Sequence, residues 1–422
     1  VTIDTQEDPM TDTRIIKGAQ LFDGEDFRGR HDVLIRDGVV LKVRAADAGG
    51  APLATEASGS VVDVLDGTGK TLTPGLLDCH VHVAMDGAGS LDGFVEPFSL
   101  QFFRAAKNLG RTLRAGVTTV RDAGGADAGV KEALARGFVE GPRLVAAISV
   151  MSQTGGHGDG RMLSGADMPM LMGHPGRPDG VADGVDAVRA KAREILRAGA
   201  DHIKICSTGG VLSPTDDPRH SQFTSAEIEA IVEEATAQGT YVMSHAQGAE
   251  GIRNALRAGA RSIEHGIYLD DETIELFLEK DAFLVPTLQA PRAVIAAADA
   301  GAALPAAVVE KARMVAQTHR ESIVKAHAAG VRIAMGTDAG VGPHGENLEE
   351  LELLVGVGLS TRDALRAGTS VAAELLRMPD VGRVAEGLPA DLVLFDGDLE
   401  KVGLADVRCR VSQVYQGGVR KR

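Results

Sequence analysis

Tryptophan is absent from this chain of 422 residues, tyrosine occurs three times, and aromatic residues make up 3% of it. So few rings leave no obvious stacking platform for a base or a sugar. Cysteine is also scarce, three in all at the widely spaced Cys79, Cys206 and Cys409. An odd and dispersed set argues against a disulfide framework and for reduced thiols in a reducing compartment. Positive charge is in deficit, with 44 Lys and Arg against 59 Asp and Glu and a net charge of −15. That balance excludes sequence-independent nucleic-acid binding, which needs a cationic face. No apolar run approaches the length of a spanning helix, and the acidic stretch Val1–Met10 lacks the regions of a signal peptide. The expectation is a cytoplasmic protein without membrane or nucleic-acid partners, acting on a small molecule, and forming a homo-oligomer. Glycine, by contrast, is abundant at 52 residues, and the composition is that of an Ala/Gly/Val-rich α/β chain.

The two ends of the chain read differently from its middle. Residues 13–73 hold short β-branched runs, with Asp37-Gly38 as a hairpin signal between two of them, and 45–60 reads as a surface loop. Residues 381–422 return to the same style, with alternating apolar residues from Val407 to Val419. Separate small sheets would bury too little, so both ends are expected to combine into one β-sandwich. Between them, 74–380 alternates helical and strand patterns. A recurring join marks this: Leu113-Arg-Ala-Gly116, Leu196-Arg-Ala-Gly199, Leu256-Arg-Ala-Gly259 and His327-Ala-Ala-Gly330. Each glycine suits the left-handed position that ends a helix, and a strand begins just after it. Thr224-Ser-Ala-Glu227 is a capping box opening a further helix.

Pro74-Gly-Leu-Leu-Asp-Cys-His80-Val-His82 carries two imidazoles at strand spacing. Residues i and i+2 of a strand point the same way, so His80 and His82 can grip one metal ion. Alone, such a pair also fits ordinary strand histidines. Further along, Lys204 lies in His-Ile-Lys-Ile-Cys, His245 in Tyr-Val-Met-Ser-His, His265 in Ser-Ile-Glu-His-Gly and Asp338 in Arg-Ile-Ala-Met-Gly-Thr-Asp. Each sits within or at the end of an apolar run that reads as a buried strand. Groups from five strands converge naturally at the carboxyl ends of a closed barrel, whereas an open sheet spreads them. The expected fold is therefore a (β/α)8 barrel with a β-sandwich built from both chain ends.

These residues, with the closing Ala385-Glu-Gly-Leu-Pro-Ala-Asp391-Leu-Val-Leu, resemble the amidohydrolase superfamily from residue 14 onward. Thr154-Gly-Gly-His157, Ser207-Thr-Gly-Gly, Ser244-His-Ala and Ile263-Glu-His-Gly are similar to its imidazolonepropionase-related branch, which includes prolidase-like dipeptidases, carboxypeptidases and ochratoxin-cleaving amidases. The resemblance implies a binuclear metal hydrolase of an amide C–N bond, with two divalent ions, Zn2+ for preference, held by His80, His82, Lys204, His245, His265 and Asp338. It further implies that Lys204 is carboxylated and bridges the ions, and that Asp338 is the catalytic acid–base group. Burial lowers an amine's pKa, which suits capture of carbon dioxide. Relatives with one metal lack the lysine, and metal-free assembly proteins lose ligands that this chain keeps.

His157, in a glycine-rich loop, is a candidate to bond the developing oxyanion or the substrate. Gln247 stands where some peptidase relatives carry a tyrosine, and suits a neutral amide or carbonyl. Arg161, Arg219, His220, Tyr268 and His344 are candidates for holding a free carboxylate, although no spacing specifies them. The 161–181 stretch lacks a clear period and reads as a substrate-covering loop or an insertion. Phe94, Phe98, Phe102 and Phe103 could wall an apolar pocket or pack into the core. A dipeptide or N-acyl amino acid is the expected substrate, with a non-peptide or cyclic amide as the alternative.

Overall fold

The computed structural model describes residues 13–47, 53, 62–87, 95–169 and 171–422. Most of the 45–60 loop, and Phe94, lie outside them. Five strands open the chain: β1 (Thr13–Phe22), β2 (Phe27–Arg36), β3 (Val39–Ala45), β4 (Val62–Asp66) and β5 (Lys70–Pro74). Asp37 and Gly38 make the β2–β3 turn with φ of 53° and 79°, the backbone a two-residue hairpin demands. Nine short strands follow: β6 (Leu76–Val81), β7 (Val117–Asp122), β8 (Arg143–Ala146), β9 (Val150–Met151), β10 (Ile203–Cys206), β11 (Val242–Ala246), β12 (Ser262–His265), β13 (Phe283–Val285) and β14 (Arg332–Ile333). The chain closes with β15 (Leu392–Asp396), β16 (Val411–Gln416) and β17 (Val419–Arg420).

The two chain ends meet in one eight-stranded sheet, ordered β17-β16-β15-β5-β1-β2-β3 with β4 on β1. β5 is the junction: it runs parallel to β1 and antiparallel to β15, with Leu72 opposite Leu394. Ile16, Leu21, Val33, Val40, Leu72 and Leu392 form the apolar core of this sheet. The alternation from Val407 is not all strand. Val407–Arg410 is a 3-10 turn following Asp406 at φ 53°, and β16 begins only at Val411.

The nine middle strands are parallel and pair in chain order, as β6-β7-β8 and as β9 to β14. Backbone bonds also join the first of them to the segment after the last: Cys79 N–H donates to Met335 O at 2.9 Å and Asp338 N–H to His80 O at 2.7 Å. The helix-ending glycines adopt the expected left-handed backbone, with φ of 105° at Gly116, 102° at Gly199, 99° at Gly259 and 88° at Gly330. Both bonds of the Thr224/Glu227 capping box form at the start of helix Ser225–Ala237. Parallel pairing sets every carboxyl end on one side, which is where His82, Cys206, His245 and His265 fall. No helix of the described residues is long and apolar enough to cross a membrane.

Candidate active site

His80, His82, Lys204, His245, His265 and Asp338 all line one pocket, together with His157 and Gln247. Ligand atoms of His80, His265 and Asp338 lie within 4.8 Å of one another. Asp338 Oδ1 stands 3.6 Å from His80 Nε2 and 3.4 Å from His82 Nε2. The His245 and His265 rings meet edge to face at 4.6 Å, and His80 and His265 are 5.2 Å apart.

Each ring is held by one nitrogen, which leaves the other free to face the pocket. His80 Nδ1 donates to Glu264 Oε2 at 2.8 Å, and His82 Nδ1 to Gly124 O at 2.8 Å. His265 Nδ1 is bonded to Thr287 Oγ1 at 2.6 Å, while His245 is held by Nε2, on Gly209 O at 3.1 Å. Such outer bonds fix tautomer and orientation in metal-binding histidines. Burial holds the His80, His245 and His265 imidazoles well below the ordinary histidine range, so they are neutral, the form that donates a lone pair. Asp338 Oδ1 is buried without a hydrogen-bond partner. A carboxylate oxygen and four imidazoles with inward lone pairs, none neutralised by a protein donor, form a set that fits divalent metal.

Lys204 lies in β10 at 3% exposure. Burial lowers its amine from the ordinary value against the opposing pull of Glu264 and Asp338, and Nζ makes no hydrogen bond to the described residues. Asp338 is pushed up to about 6, again by burial.

Three residues beneath the pocket, Asp78, Arg121 and Glu264, and one in its wall, Thr287, were not foreseen as part of the site. Glu264 accepts from Arg121 Nη2 at 3.0 Å as well as from His80. Arg121, wholly buried, also donates to Cys79 O at 2.6 Å and Ser262 Oγ at 3.0 Å. It thereby ties β7 to β6 and β12. Asp78 accepts from Thr337 Oγ1 at 2.7 Å, Asn347 Nδ2 at 2.8 Å and His80 N at 3.1 Å. Thr287 anchors His265. The signal available for Asp78, Arg121 and Glu264 was the one that marked Lys204: a charge inside an apolar strand run.

The remaining candidates separate. His157 is buried and stacks on His245, with ring centroids 4.3 Å apart and planes 19° from parallel. Gln247 is buried, and its side-chain Oε1 has no partner. Arg161 does not reach the pocket, because Asp167 Oδ1 holds its guanidinium at 2.7 Å on the surface. Tyr268 packs beside the aliphatic cluster of Val211, Ile267 and Val294 and is not among the lining residues. Arg219 is held by Asp217, and His344 is bonded to the His82 and Met85 carbonyls. No described residue of 161–181 lines the pocket; Arg177 instead fastens that stretch to Gly125 O and Gln101 Oε1. Phe98 and Phe103 are exposed and Phe102 packs on the core.

A sequence model of the amidohydrolase family matches residues 71–419. Ochratoxinase of Aspergillus niger is 34% identical over 364 residues, covering 82% of this chain and 75% of that protein. Imidazolonepropionase of Ectopseudomonas mendocina is 26% identical over 424 residues, covering 92% of each. The crystal structure of a Xaa-Pro dipeptidase with methionine bound in its active site matches with a TM-score of 0.86 at 31% identity, over 97% of this chain and 99% of that one. The pocket's donor set and these matches agree: the chain belongs to the amidohydrolase family and is a hydrolase acting on carbon–nitrogen bonds.

Proposed function

We propose that the chain is a binuclear metal-dependent hydrolase that cleaves the amide bond of a dipeptide or N-acyl amino acid, with the parallel strands of 74–380 closed into a (β/α)8 barrel and the chain ends, 13–73 and 381–422, folded as its sandwich domain. His80, His82 and Asp338 would hold one divalent ion, His245 and His265 a second, and Lys204, carboxylated on Nζ, would serve both. When bound, two such ions, Zn2+ for preference, supply Lewis acidity that activates water and polarises a carbonyl. Asp338 Oδ1 takes the proton of the attacking water and passes it to the leaving nitrogen. His157 meets the substrate from above His245, and the Gln247 amide bonds a neutral group of the substrate.

The observation that carries this reading is the convergence of free ring nitrogens and the unpartnered Asp338 oxygen on one buried pocket. A second reading, hydrolysis of a non-peptide or cyclic amide, draws on the pocket's walls. They include Val150, Val211, Leu212, Ile267, Val294, Val315 and Val341, and no arginine or tyrosine among the described residues. Metal analysis of the purified protein, with a screen of dipeptides and N-acyl amino acids, tests both. About two ions per chain and release of a free amino acid are expected, and Lys204→Ala should lose the second ion and the hydrolysis together. A fully metallated, active Lys204→Ala protein would refute the bridging role. An inert library beside cleaved cyclic amides or lactones would refute the peptide reading.

A further inference from the structure

Between β10 and helix Ser225–Ala237 the chain makes an excursion from which Ser213, Asp216 and Gln222 turn toward His157. His157 Nδ1 lies 2.8 Å from Ser213 Oγ, and Ser213 Oγ is bonded in turn to Asp216 Oδ1. Asp216 Oδ2 is 3.5 Å from the same ring nitrogen and accepts from Gln222 Nε2 at 3.3 Å. Gln222 Oε1 accepts the His157 backbone N–H at 2.9 Å, so one residue clasps both the histidine and its acid. Lys311, reaching in from helix Ala306–Ala329, donates to Gly210 O at 2.7 Å, Ser213 O at 2.6 Å and Asp216 O at 2.8 Å. A Cβ at Gly210 would stand 2.2 Å from the His157 ring, so only glycine lets the loop close over it.

The hydrogen positions follow from this arrangement. Burial alone would raise the Asp216 carboxyl, but the hydrogen bonds from His157 and Ser213 and the charge of Lys311 outweigh it and hold the acid below its ordinary range. An ionised carboxylate only accepts, so Ser213 gives its single proton to Asp216. Its oxygen then accepts from His157 Nδ1–H. The other ring nitrogen, Nε2, makes no hydrogen bond to the described residues.

We infer that the 207–222 segment is a positioning device for His157: Asp216, acting through Ser213, fixes the imidazole with a proton on Nδ1 and presents Nε2 to the pocket, and Lys311 fixes Asp216. The same loop sets His245 through the Gly209 carbonyl, so one segment aligns two stacked rings. Asp216, Ser213 and Lys311 are positioning residues, since none of them lines the pocket.

Two measurements test this, and only the first rests on the amide-hydrolase reading. In a double-mutant cycle on the metal-loaded enzyme, Ser213→Ala and Asp216→Asn should each lower kcat about 10- to 100-fold, the usual cost of removing such an outer partner, with KM changed less. In a His157→Ala background the same changes should cost less than twofold, and Ser213→Thr should restore most of the rate. Losses that multiply with that of His157→Ala, or single variants within twofold of the parent, would overturn the inference. Independently, 15N NMR of histidine-labelled full-length protein, assigned by difference from His157→Gln, should show His157 protonated on Nδ1 and redistributed in Ser213→Ala. A parent spectrum with Nδ1 unprotonated overturns the inference regardless of turnover. The expected tautomer in a protein that cleaves no amide would instead refute the substrate reading and leave the positioning role standing.

Discussion

Arg121→Met should be among the most damaging single changes in the protein, although Arg121 is not among the residues lining the pocket. Arg121 and Glu264 are both fully buried, and their side chains meet at 3.0 Å. Methionine retains much of the aliphatic bulk but leaves the fully buried Glu264 carboxylate without its cation. Leaving one partner of a buried pair uncompensated costs about 3–5 kcal/mol. Glu264 also orients His80 at 2.8 Å, so metal retention should weaken alongside stability. In Arg121→Met/Glu264→Gln the stranded charge is gone while an amide oxygen can still accept from His80 Nδ1. What remains is the loss of the Arg121 donor at the Cys79 carbonyl and the Ser262 hydroxyl, about 1–3 kcal/mol. The double variant should therefore be more stable than the single one by roughly 2 kcal/mol, the difference between those two costs. Urea unfolding of chelator-treated proteins, followed by circular dichroism, removes the contribution of bound metal. A single variant within about 1 kcal/mol of the parent, or a double variant no better than the single, would show that the pair is not the compensated charge described here.

Asp338→Asn should fold normally yet lose about 100- to 10,000-fold in kcat/KM, the range for removing a general acid–base; a variant retaining a tenth of parental activity would contradict the role. Burial raises the Glu350 carboxyl to about 8, against the lowering pull of the Leu288 and Gln289 N–H groups that donate to it. The folded state thus holds a proton that the unfolded state releases near 4.5. This contribution to stability is complete below that pH and is lost at about 1.4 kcal/mol per unit as pH rises toward 8. Glu350→Gln should flatten the plot of urea midpoint against pH in that window, and an unchanged slope would show that Glu350 ionises normally. Gln247→Leu removes a buried amide without a partner of its own, so stability should hold or rise while KM for amide substrates rises about tenfold, one hydrogen bond's worth; unchanged KM would place the substrate elsewhere. Gly210→Ala puts a methyl 2.2 Å from the His157 ring and should cut kcat by at least about tenfold, read by steady-state kinetics; parental kcat would mean that the His157 pose is unimportant.

Features that depend on neighbours along the chain could be read directly. The i, i+2 spacing of His80 and His82, the four helix-ending glycines, the Thr224 capping box and the Asp37-Gly38 turn are each set by the dihedral preferences and periodicity of a few residues. Lys204 was legible for a related reason, since a cation inside Ile-Lys-Ile conflicts with burial unless it has a task. Loop candidates fared worse. Arg161 was taken by Asp167 and Tyr268 by an aliphatic cluster, and neither competition leaves a trace in spacing.

Sequence by itself determined the donor set and the order in which strands present it, because both follow from local pattern. Tertiary structure alone decided which donors face one another and what stands behind them. Glu264 reaches His80 across 184 positions, Lys311 reaches Asp216 across 95, and β5 pairs with a strand more than 300 residues away. Those partners are chosen by packing and by the need to satisfy every buried polar group, conditions that exist only once the whole chain has closed.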